Sequence, residues 1–214
     1  MSNERQQRLE QGLQHLSAPF TAAQVDQLLA YLTMLERWNK AFNLTSVRNP
    51  MDMLSLHLLD SAAINYAIQS ADYIIDVGSG AGLPGIPLAI LNPQKQFTLL
   101  DSNGKKTRFI FQVISELALA NVKEINKRVE AYQPEKRFDA VITRAFTALP
   151  NMLQQCDHLV ASNGCFLAMK GKKPDLELSQ IEKAYKVVDL SRIALPLIEA
   201  ERHLVKIIKI SAEP

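Results

Sequence analysis

The run Tyr73-Ile74-Ile75-Asp76-Val77, followed at once by Gly78-Ser79-Gly80-Ala81-Gly82-Leu83-Pro84-Gly85, constrains this chain more than any other feature. A short apolar run closed by glycines is the pattern of a strand buried on both faces. Glycines directly after such a strand let the backbone turn sharply, and they let a ligand lie against it without meeting side chains. Further strand-like runs stand at Phe97-Thr98-Leu99-Leu100, at 122–126, at 138–143 and at 165–169, with a helix over 105–119. Strands alternating with helices predict a mostly parallel sheet wound on both faces. Runs at 185–190 and 203–210 leave no room for a full helix between them, so they are expected to pair antiparallel.

The chain ahead of this region reads as helical up to about residue 70. Thr21 and Gln24 form a capping-box pattern. Val25, Leu28, Leu29, Leu32, Leu35 and Trp38 then recur at the spacing of an amphipathic helix. A polar loop is expected over 39–49, and Pro50 suits the first turn of one further helix carrying Met53, Leu54, His57, Leu58 and Ile64. The expected division is a helical extension over 1–70 and a Rossmann-like domain over 71–214, forming one compact unit.

Composition excludes more than it selects. With 214 residues, 47% of them apolar and 21% charged, the chain has an ordinary globular make-up and can bury a full core without staples. A net charge of +2 permits an anionic partner without demanding one, so local clusters must carry any such claim. Cys156 and Cys165 lack a CxxC partner or a neighbouring histidine, as expected of reduced thiols in a cytosolic protein. The N-terminus has no signal-like apolar stretch, and no run approaches the ~18 apolar residues of a membrane span. A soluble, cytoplasmic protein with no membrane partner and no metal is expected. His57 and Asp60, one helical turn apart, have no third ligand in view, so a hydrogen-bonding or packing role is expected of them. His203 is expected to be structural.

Two nucleotide-type readings compete for the glycine loop. Residues Gly80 to Gly85 satisfy GxGxxG, with Asp101 about 20 residues onward, the pattern of an NAD-dependent oxidoreductase. Against this, Gly78 already begins the turn, which gives Asp-x-Gly-x-Gly-x-Gly with the acid at the strand end. A carboxylate there suits the ammonium and sulfonium of S-adenosylmethionine better than a diphosphate. Gly78 and Gly80 are therefore expected against that cofactor, and Asp101, closing the second strand, on its ribose hydroxyls. A sheet of this layout is typical of class I methyltransferases, and seven strands are expected. Val129-Glu130 follows the third strand, where an adenine ring lies in such folds; taken alone, Glu130 reads rather as a solvated charge.

After the fourth strand stands Thr143-Arg144-Ala145-Phe146, where amino-group methyltransferases carry an Asn/Asp-Pro-Pro-aromatic element. Its absence argues against adenine-N6 or glutamine targets. Longer segments identify a family. The run from Trp38 to Val47, His57-Leu58-Leu59-Asp60-Ser61, Asp76 to Pro87 and Leu99-Leu100-Asp101-Ser102 resemble the bacterial 16S rRNA guanine-N7 methyltransferases. This family is also called glucose-inhibited division protein B. Arg144-Ala145-Phe146, Lys170-Gly171 and the run from Glu201 to Val205 continue the resemblance in order along nearly the whole chain. It implies cofactor contacts at Gly78, Leu83, Val129, Glu130 and Arg144. It also implies methylation of a guanine in the decoding-region loop of 16S rRNA, within the small ribosomal subunit or an assembly intermediate.

Guanine N7 carries a free in-plane lone pair and can attack without a general base, so no acid–base residue is expected. Arg144 could bind the cofactor's carboxylate, guanine O6 or a phosphate, and by its own residues reads equally as a purely structural ion pair, the resemblance favouring a functional role; a donor to N7 itself would block the nucleophile. Arg37, Lys40, Arg48, Lys170, Lys172 and Lys173 are candidates for rRNA phosphates, against the plainer reading of solvated surface charge. Phe146 could stack on the target base or belong to the core. A catalytically silent RNA-binding relative is disfavoured because the cofactor residues are intact.

Overall fold

The computed structural model describes residues 2–210; Met1 and residues 211–214, the two ends of the expected division, lie outside them. Two long helices come first, α1 (Ser2–His15) and α2 (Ala22–Phe42). The Thr21–Gln24 capping box is formed in both directions, and α2 ends at Asn43 in the left-handed conformation. Asn49 caps the short α3 (Pro50–Met53), with Pro50 in its first turn.

The single helix expected after Pro50 is not continuous. The backbone widens into a π-helix over Leu54–Leu59 before a short α4 (Asp60–Ala62), and a 3₁₀ turn follows at Asn65–Ile68. Such widening inserts a residue into the helical ladder and re-aims the side chains around it. It falls where His57 and Asp60 are held by groups outside the helix, His57 by Thr45 and Asp60 by Arg144 and Arg202.

The rest alternates as β1 (Tyr73–Val77), α5 (Gly85–Leu91), β2 (Gln96–Asp101), α6 (Gly104–Glu116), β3 (Val122–Asn126), β4 (Phe138–Arg144), α7 (Leu149–Cys156), β5 (Val160–Lys170), α8 (Asp175–Leu178), β6 (Tyr185–Arg192) and β7 (His203–Lys209). The sheet order is β3-β2-β1-β4-β5-β7-β6. β7 runs antiparallel to both of its neighbours, as expected of the closing pair, and the other described pairings are parallel. Strand order reverses between β1 and β4, so the crevice of such a sheet opens at their carboxyl ends.

Side chains alternate across the sheet, and each face has its own core. On one face Ile74, Phe97, Leu99 and Ile142 pack with α5, α6 and the N-terminal helices, including Leu9, Leu13, Val25, Leu28 and Leu32. On the other, Ile75, Val77, Val141 and Phe166 pack with Leu149, Met152 and Leu153 of α7. No helix among the described residues is long and apolar enough to cross a membrane.

Candidate functional site: two adjoining cavities at the carboxyl edge

The glycine loop turns as its composition requires. Gly78 has a φ of +70°, and a Cβ there would stand 2.7 Å from the ring of Phe146. A side chain would thus be both strained and displaced by the aromatic packed on the loop. At Gly85 the constraint is contact rather than conformation, because a Cβ would lie 2.8 Å from Asp76 Oδ2.

That contact reports a difference from the sequence expectation. Asp76 does not line the cavity beside the loop; it is 0% exposed beneath it, on the face that carries Ile74. Its Oδ2 accepts a hydrogen bond from the Gly85 amide at 2.9 Å, and its Oδ1 has no partner among the described residues. Burial pushes its pKa up to about 7, opposed by the Gly85 amide and the Arg144 charge. The alternation of β1 is the cause, since it turns Ile75 and Val77 to one face and Asp76 to the other.

A cavity of about 470 Å³ opens over the loop, within the usual range for small-molecule sites. Gly78, Asp101, Val129 and Glu130 line it, four of the seven residues expected to hold the cofactor. Asp101 ties the second strand to the glycine loop. Its Oδ2 accepts from the Gly80 amide at 2.9 Å, and its Oδ1 from the Asn103 amide at 2.8 Å. Each oxygen keeps a lone pair for a ligand hydroxyl. Gly80 therefore acts from behind Asp101 and not as lining. Leu83 is buried in the core under the loop. Lys106, in the first turn of α6, and Lys127 and Arg128, directly after β3, also line this cavity; the sequence signal for them is their place just past the ends of parallel strands. No histidine or cysteine among the described residues lines it. Burial pushes the Cys156 thiol up to about 12, far from a nucleophilic thiolate.

A second cavity of about 430 Å³ lies on the far side of the Arg144–Phe146 segment, and Ala145 lines both. Ala145 itself has a φ of +52°, a left-handed conformation uncommon for a residue with a Cβ. Thr45, His57, Asp60, Arg144, Lys170 and Arg202 are on the walls of the second cavity. Thr45 Oγ1 and His57 Nε2 are 2.9 Å apart, and burial with the nearby Arg144 charge holds His57 down at about 4, so its ring is neutral. Lys170 bonds the Thr147 carbonyl and Glu177. Thus the Arg144 side chain, expected on the cofactor, stands on the second cavity, while the chain that follows it lines the first.

The remaining basic candidates are not brought together into one site. Arg37 is at 3.7 Å from Glu116, Arg48 donates to Asn43, and Lys173 pairs with Asp175. Lys40 and Lys172 are exposed.

The sheet order and the loop with its carboxylate at the end of β2 define the class I methyltransferase fold, and solved structures agree. The magnesium protoporphyrin IX methyltransferase of Synechocystis PCC 6803 superposes with a TM-score of 0.61 at 11% identity, over 84% of this chain and 97% of that one. The ribosomal protein L11 methylase of Lactobacillus delbrueckii subsp. bulgaricus gives 0.56 at 13% identity, over 72% and 78%. Sequence then narrows the class. The profile described as GidB, rRNA small subunit methyltransferase G, matches residues 24–205, so the chain belongs to that family and takes its methyl group from S-adenosylmethionine. The ribosomal RNA small subunit methyltransferase G of Shewanella sp. (strain MR-7) is 49% identical over 202 residues, 94% of this chain and 98% of that one. The protein of the same name from Idiomarina loihiensis is 52% identical over 187 residues, 87% and 90% respectively.

Proposed function

We propose that this enzyme methylates N7 of a guanine in the decoding-region loop of 16S rRNA, presented by the small ribosomal subunit or an assembly intermediate. The observation that carries the reading is the pair of cavities meeting at Ala145, one of them framed by Gly78, Asp101, Val129 and Glu130. We assign the ribose hydroxyls of the cofactor to Asp101, its adenine to the Val129–Glu130 turn, and its methyl-bearing end to the stretch between Gly78 and the Arg144–Ala145 backbone. Leu83 and Gly80 support that end from below. S-adenosylmethionine bound there supplies a methyl group carried on a sulfonium.

Guanine N7 needs no deprotonation, which suits a site whose one lining histidine, His57, is a weak base held down at about 4. The residues then have to bind, orient and exclude water, and orientation alone supplies up to ~7–11 kcal/mol in favourable systems. Arg37, Lys40, Arg48, Lys172 and Lys173 are assigned to rRNA phosphates, with Lys170 at the mouth of the second cavity.

The test is transfer from radiolabelled S-adenosylmethionine to small subunits that lack this modification, followed by mapping of the labelled atom. Label at N7 of one decoding-region guanine is the expected result. Label on another base, or on ribosomal protein, overturns the assignment of substrate while leaving the family unchanged.

A further inference from the structure

Asp60 is a single buried carboxylate, 2% exposed, that holds two guanidinium groups from distant parts of the chain. Its Oδ2 accepts from Arg144 Nη1 at 3.0 Å and its Oδ1 from Arg202 Nε at 3.0 Å. Further bonds fix both arginines: Arg144 Nη1 also donates to the Leu56 carbonyl, and Arg202 Nη1 to the Glu201 carbonyl. In each arginine the Nη2 amine is left without a partner among the described residues, and each side chain keeps about a quarter of its surface or less, 21% and 26%. All three residues line the second cavity.

We infer that the second cavity receives the acceptor nucleotide and that Asp60 is its positioning residue. The carboxylate turns the unpartnered Nη2 groups of Arg144 and Arg202 to guanine O6 and the nucleotide's phosphate, and it cancels one of the two positive charges facing the ring. This inference rests on the N7 reading above and adds the residues that aim the base.

The need for cancellation follows from the chemistry. N7 donates its electron pair to the methyl carbon as the sulfur–carbon bond breaks and sulfur keeps that bond's pair. No proton moves, and the positive charge leaves sulfur and appears on the guanine ring. Two uncompensated guanidiniums beside the ring would oppose that charge as it develops, more strongly in a partly buried cavity than in bulk water. They are nevertheless suited to a neutral base and an anionic phosphate before transfer. With Asp60 in place the trio carries +1 instead of +2, so it binds the incoming nucleotide while opposing the transition state less. The cationic product base is left facing a wall of like charge, which favours its release.

The experiment measures kcat and the KM for unmodified subunits in Asp60→Asn, Arg202→Gln and the double variant, with S-adenosylhomocysteine affinity by calorimetry and the labelled atom mapped throughout. Asp60→Asn is expected to lower kcat by about tenfold or more, as loss of one preorganised electrostatic partner does, with cofactor affinity unchanged. Arg202→Gln is expected to raise KM. The double variant is expected to regain most of the lost kcat while keeping the raised KM, because removing a positive charge restores the balance that Asp60 supplied. A merely structural carboxylate predicts no such recovery. The inference is overturned if the Asp60→Asn loss follows cofactor affinity, or if Arg202→Gln does not recover kcat. Should Asp60→Asn fail to fold, an unchanged KM in Arg202→Gln overturns it equally. If wild-type enzyme labels an atom other than guanine N7, the function proposed above fails by itself, and the pattern among the variants still decides whether Asp60 positions the acceptor.

Discussion

Asp76 is a carboxyl whose buried environment departs far from its chemistry in water. In the folded chain its pKa is about 7, whereas a carboxyl in an unfolded chain titrates near ~3.9. Between those values the folded state holds more protons than the unfolded one. Its stabilising contribution is therefore complete below about pH 4 and is lost as pH rises through about 7. The ligand-free enzyme is expected to melt at progressively lower temperature between pH 5 and pH 8, and Asp76→Asn to lose that slope. Thermal scans at fixed ionic strength measure it. The ionised form, however, is the one that attracts a cationic cofactor. S-adenosylmethionine is thus expected to bind more tightly as pH rises through about 7 in the wild type and without that trend in Asp76→Asn, by calorimetry. With His57 held near 4 and no proton to remove from N7, kcat itself is expected to stay level from pH 6 to pH 9. A steep base-dependent limb in kcat would mean that a proton-transfer group exists.

At the scale of elements, α2 does more than cover the sheet. Gln24 donates to the Ile90 carbonyl at the end of α5, Gln27 to the Leu117 carbonyl that ends α6, and Tyr31 to the Ala81 carbonyl inside the glycine loop at 2.8 Å. The Tyr31 bond is fully buried, and burial pushes its phenol well above the usual range, so the hydroxyl stays a donor at any working pH. Tyr31→Phe removes the donor and leaves a buried carbonyl unsatisfied, which costs about 1–3 kcal/mol. Denaturant unfolding should show a lower midpoint with an unchanged m-value. Cofactor affinity is expected to fall as well, because the loop loses the support that fixes its curvature. Unaltered affinity would show that the loop holds its shape without α2. The capping box and apolar spacing of α2 were readable from its own residues. Its three bonds to the rest of the molecule were not, because Gln24, Gln27 and Tyr31 read equally well as solvent-facing or core positions until the partner helices are in place.

For the whole molecule, the N-terminal helices and the sheet share one apolar cluster, in which Val25, Leu28 and Leu32 meet Ile74, Ile86 and Phe109. We therefore propose that residues 1–70 and 71–214 unfold together. One calorimetric transition, with equal calorimetric and van't Hoff enthalpies, is the expected outcome, and two separated transitions would establish independent domains. The basic residues assigned to rRNA are scattered across the surface and partly neutralised by Glu116 and Asp175, so contact with few phosphates is expected. The KM for subunits is expected to rise with salt at a shallow slope, and charge reversal at Lys40 or Lys172 to reduce that slope by about one. An unchanged affinity in such variants would remove them from the interface.

The strand-and-glycine loop, the alternation of strands and helices and the antiparallel closing pair were legible because each depends on forces acting within a few residues: backbone freedom at glycine, side-chain periodicity and the length of a crossover. The positions of Gly78, Asp101, Val129 and Glu130 followed, since the ends of parallel strands converge on one edge whatever the rest of the chain does. What only the tertiary structure decided depends on which face a strand turns inward and on meetings far apart in the chain. The pleat of β1 hid Asp76 beneath the loop that its sequence position seemed to serve. Asp60 meets partners 84 and 142 residues away, across a π-turn that no periodicity announces. By its neighbours in sequence Asp60 reads only as a hydrogen-bonding or packing residue one turn from His57, with no partner indicated. It becomes the anchor of two arginines only when three separate elements close around a cavity, and the free energy of that arrangement resides in contacts that local sequence does not encode.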